Sequence, residues 1–198
     1  MVNEERNILQ LLIENKDKKF SIRKISLLRK INYKSAYLAL QKLSQKGLID
    51  MEHMGNSILC SFSNKFAPLV FEVEYSRKKN LLKNKDFKAI YGLLRKIEKP
   101  FVCLLFGSAV NGKVKKGSDI DIFVISENSG EIEQIVSLIP LDINLTAITY
   151  KEFFAMAKSR EFNVLAEAMR HNIILVGIEE YYRLAENAQR GLYKEGEI

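Results

Sequence analysis

The stretch FVCLLFGSAVNGKVKKGSDIDIFVI, residues 101–125, decides how the second half of this chain is read. Six apolar residues, Phe101 to Phe106, run without a break into Gly107, the profile of a strand buried on both faces. A second apolar run reaches Ile125 and is opened by Asp119-Ile120-Asp121. Side chains alternate along a strand, so Asp119 and Asp121 are predicted on one face with Cα atoms about 6.5 Å apart. Two carboxylates at that spacing can converge on one hard cation, or on a pair of cations about 3.5–4 Å apart. Gly107 lacks a side chain and lets a phosphate approach the backbone. Ser108 supplies a hydroxyl, and the turn after it supplies N–H groups for the same phosphate. Lys113, Lys115 and Lys116 read first as a solvated loop, and Lys116 and Ser118 join Gly107 and Ser108 as phosphate-binding candidates.

Taken whole, the pattern is strand, Gly-Ser, nine residues, Ser-Asp-x-Asp, strand. It resembles the signature of the DNA polymerase β-like nucleotidyltransferase superfamily, in particular its small archaeal and bacterial minimal members. The resemblance implies an α+β fold in which a mixed β-sheet is flanked by helices. It implies a nucleoside triphosphate (NTP) as substrate and nucleoside monophosphate transfer to a hydroxyl acceptor, with release of pyrophosphate. It also implies Mg²⁺, with Mn²⁺ as a substitute, held by Asp119, Asp121 and a third carboxylate on a neighbouring downstream strand. Glu131 to Ile139 reads as a helix stopped by Pro140, and Leu141 to Tyr150 as a strand. Asp142 is the only acid in that strand and is taken as the third ligand, with Asn144 on the same face. The interval from Asp121 to Asp142 is short for the family.

Upstream, Ile8, Leu9, Leu12 and Ile13 share one face of a helix over residues 4–15. Phe20 forms a short strand. Ser21 is placed to cap a helix from Ile22 to about Lys30, whose buried face is expected to be Ile22, Ile25 and Leu28. Asn32 caps a third helix from Tyr33 to about Lys46, with Ala36, Leu40 and Leu43 inward and Gly47 ending it. Leu48 to Glu52 and Ser57 to Phe62 read as strands around a Gly55-Asn56 turn. Three short helices followed by a hairpin resemble a winged helix-turn-helix over about residues 4–64. That family sets its third helix in the DNA major groove. Here the implied DNA-facing residues are Tyr33, Lys34, Ser35, Tyr37 and Gln41, with Lys42 and Lys46 on phosphates. A protein-interaction module is the competing reading of the same fold.

The expected domains are a winged helix over 1–64, a helical connector over 65–99 and a nucleotidyltransferase-like domain over 100–198. Leu69 to Lys83 and Asp86 to Ile97 supply the connector's helices. Its basic runs, Arg77-Lys78-Lys79 and Lys83-Asn84-Lys85, read as solvated faces or, more sharply, as a backbone-tracking patch. Charge divides with the domains. Residues 1–100 hold 21 Lys+Arg against 10 Asp+Glu and residues 101–198 hold 10 against 14, within a total of +7. A basic half suits a polyanion, and an acidic half gathers cations.

No stretch approaches the roughly 20 apolar residues of a membrane span, and Met1 to Arg6 is unlike a secretory leader. Cys60 and Cys103 fall in apolar runs and are expected to be buried free thiols, which fits a cytoplasmic protein. His53 is expected at the surface, His171 at a helix C-terminus, and Tyr181 and Tyr182 in packing and rim positions. One alternative to the enzyme is a winged-helix transcriptional regulator whose second half senses nucleotide or is inactive. A partner protein as acceptor, and a homodimer, stay open.

Overall fold

The computed structural model describes residues 2–111, 119–158 and 164–190. The chain divides into two compact units, Met1–Val73 and Glu74–Ile198. The first unit contains helix α1 (Val2–Ile13), strand β1 (Phe20–Ser21), helices α2 (Ile22–Arg29) and α3 (Tyr33–Gln45), and strands β2 (Ile49–Met54) and β3 (Ser57–Phe62). The three strands are antiparallel in the order β1-β3-β2. Ile8, Leu9, Leu12 and Ile13 of α1 are buried, as are Ala36, Leu40 and Leu43 of α3.

Both predicted caps are in place: the Ser21 side chain accepts from Lys24 N and the Asn32 side chain accepts from Ser35 N. Each contributes about 1 kcal/mol to its helix. Gly47 stands at φ +68°, the left-handed turn that lets Leu48 N reach back to Leu43 O at 3.0 Å.

Helix α2 departs from the expectation. Its buried residues are Ile22, Ile25 and Ser26, while Leu28 is 45% exposed. Positions 22, 25, 26 and 29 form the i, i+3, i+4, i+7 stripe, so residue 29 and not 28 turns toward the core. Arg29 occupies that place half-buried, with its guanidinium 3.6 Å from the Glu14 carboxylate.

Helix α4 (Pro68–Leu81) begins in the first unit and ends in the second. After it come α5 (Lys85–Leu94), β4 (Val102–Phe106), a 3₁₀ turn (Gly107–Asn111), β5 (Ile120–Ile125), α6 (Gly130–Ser137), β6 (Ile143–Ile148), α7 (Tyr150–Lys158), α8 (Val164–Arg170), β7 (Ile173–Val176) and α9 (Ile178–Arg190). The second unit is therefore a mixed α+β layer structure whose four-stranded sheet has the order β6-β5-β4-β7. Strands β5 and β6 are parallel and joined across α6, whereas β4 is antiparallel to both its neighbours.

Because side chains alternate, the sheet has two distinct apolar faces. Cys103, Leu105, Ile120, Ile122 and Val124 form one cluster with Phe87, Ile90 and Leu94 of α5 and Ile132 and Val136 of α6. Leu104, Phe106, Phe123 and Ile125 are buried on the other face, where α8 and α9 pack on β4. Helix α5, expected in the connector, thus packs into the core of this unit. Burial pushes the Cys103 thiol up to about 12 and the Cys60 thiol up to about 11, so both stay protonated and unreactive near neutral pH. Among the described residues no helix is long and apolar enough to cross a membrane.

A buried polar network ties α4 to the C-terminal part of the unit. Glu74 is wholly buried. It accepts from Arg77 Nη1 at 2.6 Å and from the Tyr182 hydroxyl at 2.7 Å. Arg77 Nη2 donates to Asn172 O at 2.7 Å, and Lys78 Nζ to Leu175 O at 3.3 Å. Solvated faces were expected for Arg77 and Lys78, but their side chains are buried among acceptors distant in sequence. Tyr181 and Tyr182 are buried edge-to-face at 5.2 Å, in packing positions.

Candidate active site

The C-terminal end of β4 and the N-terminal end of β5 meet at one edge of the sheet, because antiparallel pairing sets Phe106 opposite Asp121. Directly after Phe106 the chain bends at Gly107, φ +66°, into the 3₁₀ turn. A Cβ built on Gly107 would overlap the Asp121 carboxylate, lying 3.2 Å from its Cγ. Glycine is thus required twice, once by the left-handed backbone and once by the acid beneath it. Gly107→Ala is expected to cost about 1–3 kcal/mol of stability from backbone strain alone, read from chemical denaturation. An unchanged midpoint would show that the turn has room to relax.

Asp121 is half-buried and Asp119, just ahead of β5, is exposed. Ser108 is exposed at the start of the turn, while Ala109 behind it is buried. On the parallel neighbour β6 the residue in register with Asp121 is Asn144. Its amide nitrogen donates to Asp121 Oδ1 at 3.2 Å. Asp142 is exposed just before β6, and its carbonyl, not its carboxylate, is tied to β5 by accepting from Ile120 N at 2.8 Å. Among the described residues no three His, Cys, Asp or Glu side chains are gathered closely enough to hold a metal ion. The donor chemistry of Asp119 and Asp121 nevertheless suits a hard divalent cation, and the bare Gly107 leaves room for the Asp121 carboxylate. Lys113, Lys115, Lys116 and Ser118 lie outside the described residues.

In the first unit, Tyr33 and Lys34 are exposed at the start of α3. Ser35 gives its backbone N–H to the Asn32 cap, and the Tyr37 hydroxyl accepts from Gln41 Nε2 at 2.9 Å. Lys46 and Lys42 stand 2.6 and 3.9 Å from the carboxylate of Glu5, which is itself largely buried. Both lysines intended for phosphates therefore share an acid from α1, which sequence spacing did not reveal. His53 is exposed on β2, and His171 is exposed just after α8.

Residues 88–181 match the family model described as Polymerase beta, Nucleotidyltransferase. That segment lies within the second unit and contains the Gly-Ser turn, Asp119, Asp121 and Asp142. No curated protein and no solved structure is matched by the chain.

Proposed function

We propose, from a nucleotidyltransferase-type domain over residues 88–181, that this chain transfers a nucleoside monophosphate from an NTP to a hydroxyl acceptor, releasing pyrophosphate. The observation that carries the reading is Gly107, bent left-handed over the Asp121 carboxylate at the mouth of two paired strands. Asp119 and Asp121 would hold Mg²⁺, or Mn²⁺ in its place, with Asp142 as the third carboxylate. When bound, the ion supplies Lewis-acid stabilisation and lowers the pKa of a nearby hydroxyl. Ser108, exposed at the turn, donates its hydroxyl to the terminal phosphates, and Ser118 and Lys116 are assigned to the same end of the nucleotide. The acceptor hydroxyl gives its proton to solvent as its oxygen bonds to the α-phosphorus, the bond to the α–β bridging oxygen breaks, and pyrophosphate leaves with the electron pair.

The first unit is assigned as a winged helix that binds DNA. Tyr33, Lys34, Ser35, Tyr37 and Gln41 of α3 are placed at the groove and Lys42 at the backbone. The exposed start of α3, the β2–β3 hairpin and the positive balance of residues 1–100 support this. Incubating the protein with each α-labelled NTP, Mg²⁺ or Mn²⁺ and a cell extract tests the transferase. A labelled macromolecule is expected, and its class identifies the acceptor, a partner protein included. If every nucleotide leaves the extract unlabelled, transfer is wrong.

Asn144 facing Asp121, where a third acid would be in register, favours a second reading: a DNA-binding regulator that senses nucleotide without transferring it. It predicts that NTP with Mg²⁺ raises the melting temperature by mass action while no label moves.

A further inference from the structure

A concavity opens in the second unit between the end of α4, the start of α5 and β7. It encloses about 390 Å³, within the range of small-molecule pockets. Leu81, Phe87 and Ile173 line it, and all three belong to the core cluster on the α5–α6 face of the sheet. Asp121 alternates with Ile120 and Ile122 of that cluster and so faces the other way. A ligand here is therefore separate from a triphosphate held at Gly107 and Asp121.

The polar lining comes from the end of α4 and the turn into α5. Asn80 and Lys83 are exposed there, and neither side chain has a partner among the described residues. Asn84 spends its oxygen on capping α5, accepting from Asp86 N at 2.8 Å, and keeps its amide N–H groups. The Arg77 guanidinium is held by Glu74 and Asn172 O, so it walls the cleft without serving as the anion's ligand. Val110, two residues beyond Ser108, closes one side. Among the described lining residues there is no carboxylate. Every polar group of the cleft precedes residue 88, outside the segment that matches the family.

We propose that this cleft binds a nucleoside monophosphate, either free or as the 5′-phosphorylated end of a strand. Lys83 takes the phosphate, the Asn80 and Asn84 amides meet the base edge, and the ring packs against half-buried Val110 and the small exposed edges of Leu81 and Ile173. One cation, adjacent amides and an apolar floor match the three parts of such a molecule.

Calorimetric titration of the full chain with AMP, GMP, CMP and UMP, with no NTP present, tests this. At least one is expected to bind with a single site. Lys83→Glu is expected to weaken binding about tenfold or more, and Asn80→Ala to weaken it as well. Asp119→Ala with Asp121→Ala is expected to leave it unchanged. Both cleft substitutions fall on exposed side chains, and equal melting temperatures check that the variants are folded. A 5′-phosphorylated tetranucleotide binding more tightly than the mononucleotide identifies a strand end; weaker binding identifies the free nucleotide. The proposal is overturned if no monophosphate binds, if inorganic phosphate alone binds equally well, or if the aspartate pair and not Lys83 controls affinity. No step of the test uses a triphosphate, so its failure is distinct from failure of the transferase reading.

Discussion

Replacing Asp119 and Asp121 together with alanine is expected to slow label transfer about a thousandfold or more. Lewis-acid stabilisation of the transferring phosphoryl group is worth several kcal/mol, and each 1.4 kcal/mol is about a factor of ten in rate. The fold should survive the change. Asp119 is exposed, and the Asp121 side chain is joined to β6 by one amide hydrogen bond from Asn144. Melting temperature without nucleotide should therefore stay near the wild-type value, while the increment produced by NTP and Mg²⁺ disappears. Transfer at the wild-type rate by the double variant would remove these acids from the chemistry. Single changes divide the remaining question. Asp142→Ala should also suppress transfer if its carboxylate swings onto the site. Asn144→Asp supplies a carboxylate in register with Asp121 and should raise metal affinity if the sheet, not the strand entrance, sets the third ligand.

The largest loss of stability is expected from Glu74→Ala. Glu74 is wholly buried and satisfies both the Arg77 guanidinium and the Tyr182 hydroxyl. Removing one partner of a buried ion pair leaves an uncompensated charge, which costs about 3–5 kcal/mol. Native-state hydrogen exchange of the α9 amides should register that drop. Replacing Glu74 and Arg77 together by leucine should recover part of it, because the stranded charge is then gone. An α9 exchange rate unaltered in Glu74→Ala would mean that water reaches Arg77 and the network is not closed.

The same network fixes a pH limit. Burial first, then the negative charge of Glu74, raises the Tyr182 phenol well above its ordinary value. A raised folded-state pKa means that this contribution is complete below about pH 10, the unfolded value. It is lost as pH climbs toward the folded value. Tyr182→Phe should flatten part of the alkaline fall in stability.

The features legible beforehand were those with local causes. Apolar runs located β4 and β5, period-two alternation set Asp121 on the face opposite Ile120 and Ile122, and a glycine after a buried strand announced the turn. Caps at Ser21 and Asn32 marked two helix starts for the same reason. What stayed hidden depends on distant partners. Arg77-Lys78-Lys79 looks like any solvated basic run, and only Glu74, three residues earlier, hinted otherwise. Tyr182 and Asn172, which complete the burial, are 108 and 95 residues away from their α4 partners. Likewise the register of β6 against β5, which brings Asn144 rather than Asp142 opposite Asp121, is set by tertiary pairing and not by alternation within one strand. Leu28 was a different error: three apolar residues suggested a face, but the helical period runs through Arg29.

The network that joins α4 to α9 also bears on where the second unit can be cut. The segment matching the family begins at residue 88 and stops at residue 181, one position short of Tyr182. Truncation at those borders would discard Glu74, Arg77, Leu81 and Phe87 at one end, and Tyr182, Leu184 and Ala185 at the other, all of them buried. The trimmed fragment would expose apolar surface on both sides of the sheet and invite aggregation. The autonomous piece of this protein is therefore larger than its recognisable motif, and expression trials should start no later than residue 74 and keep α9 entire.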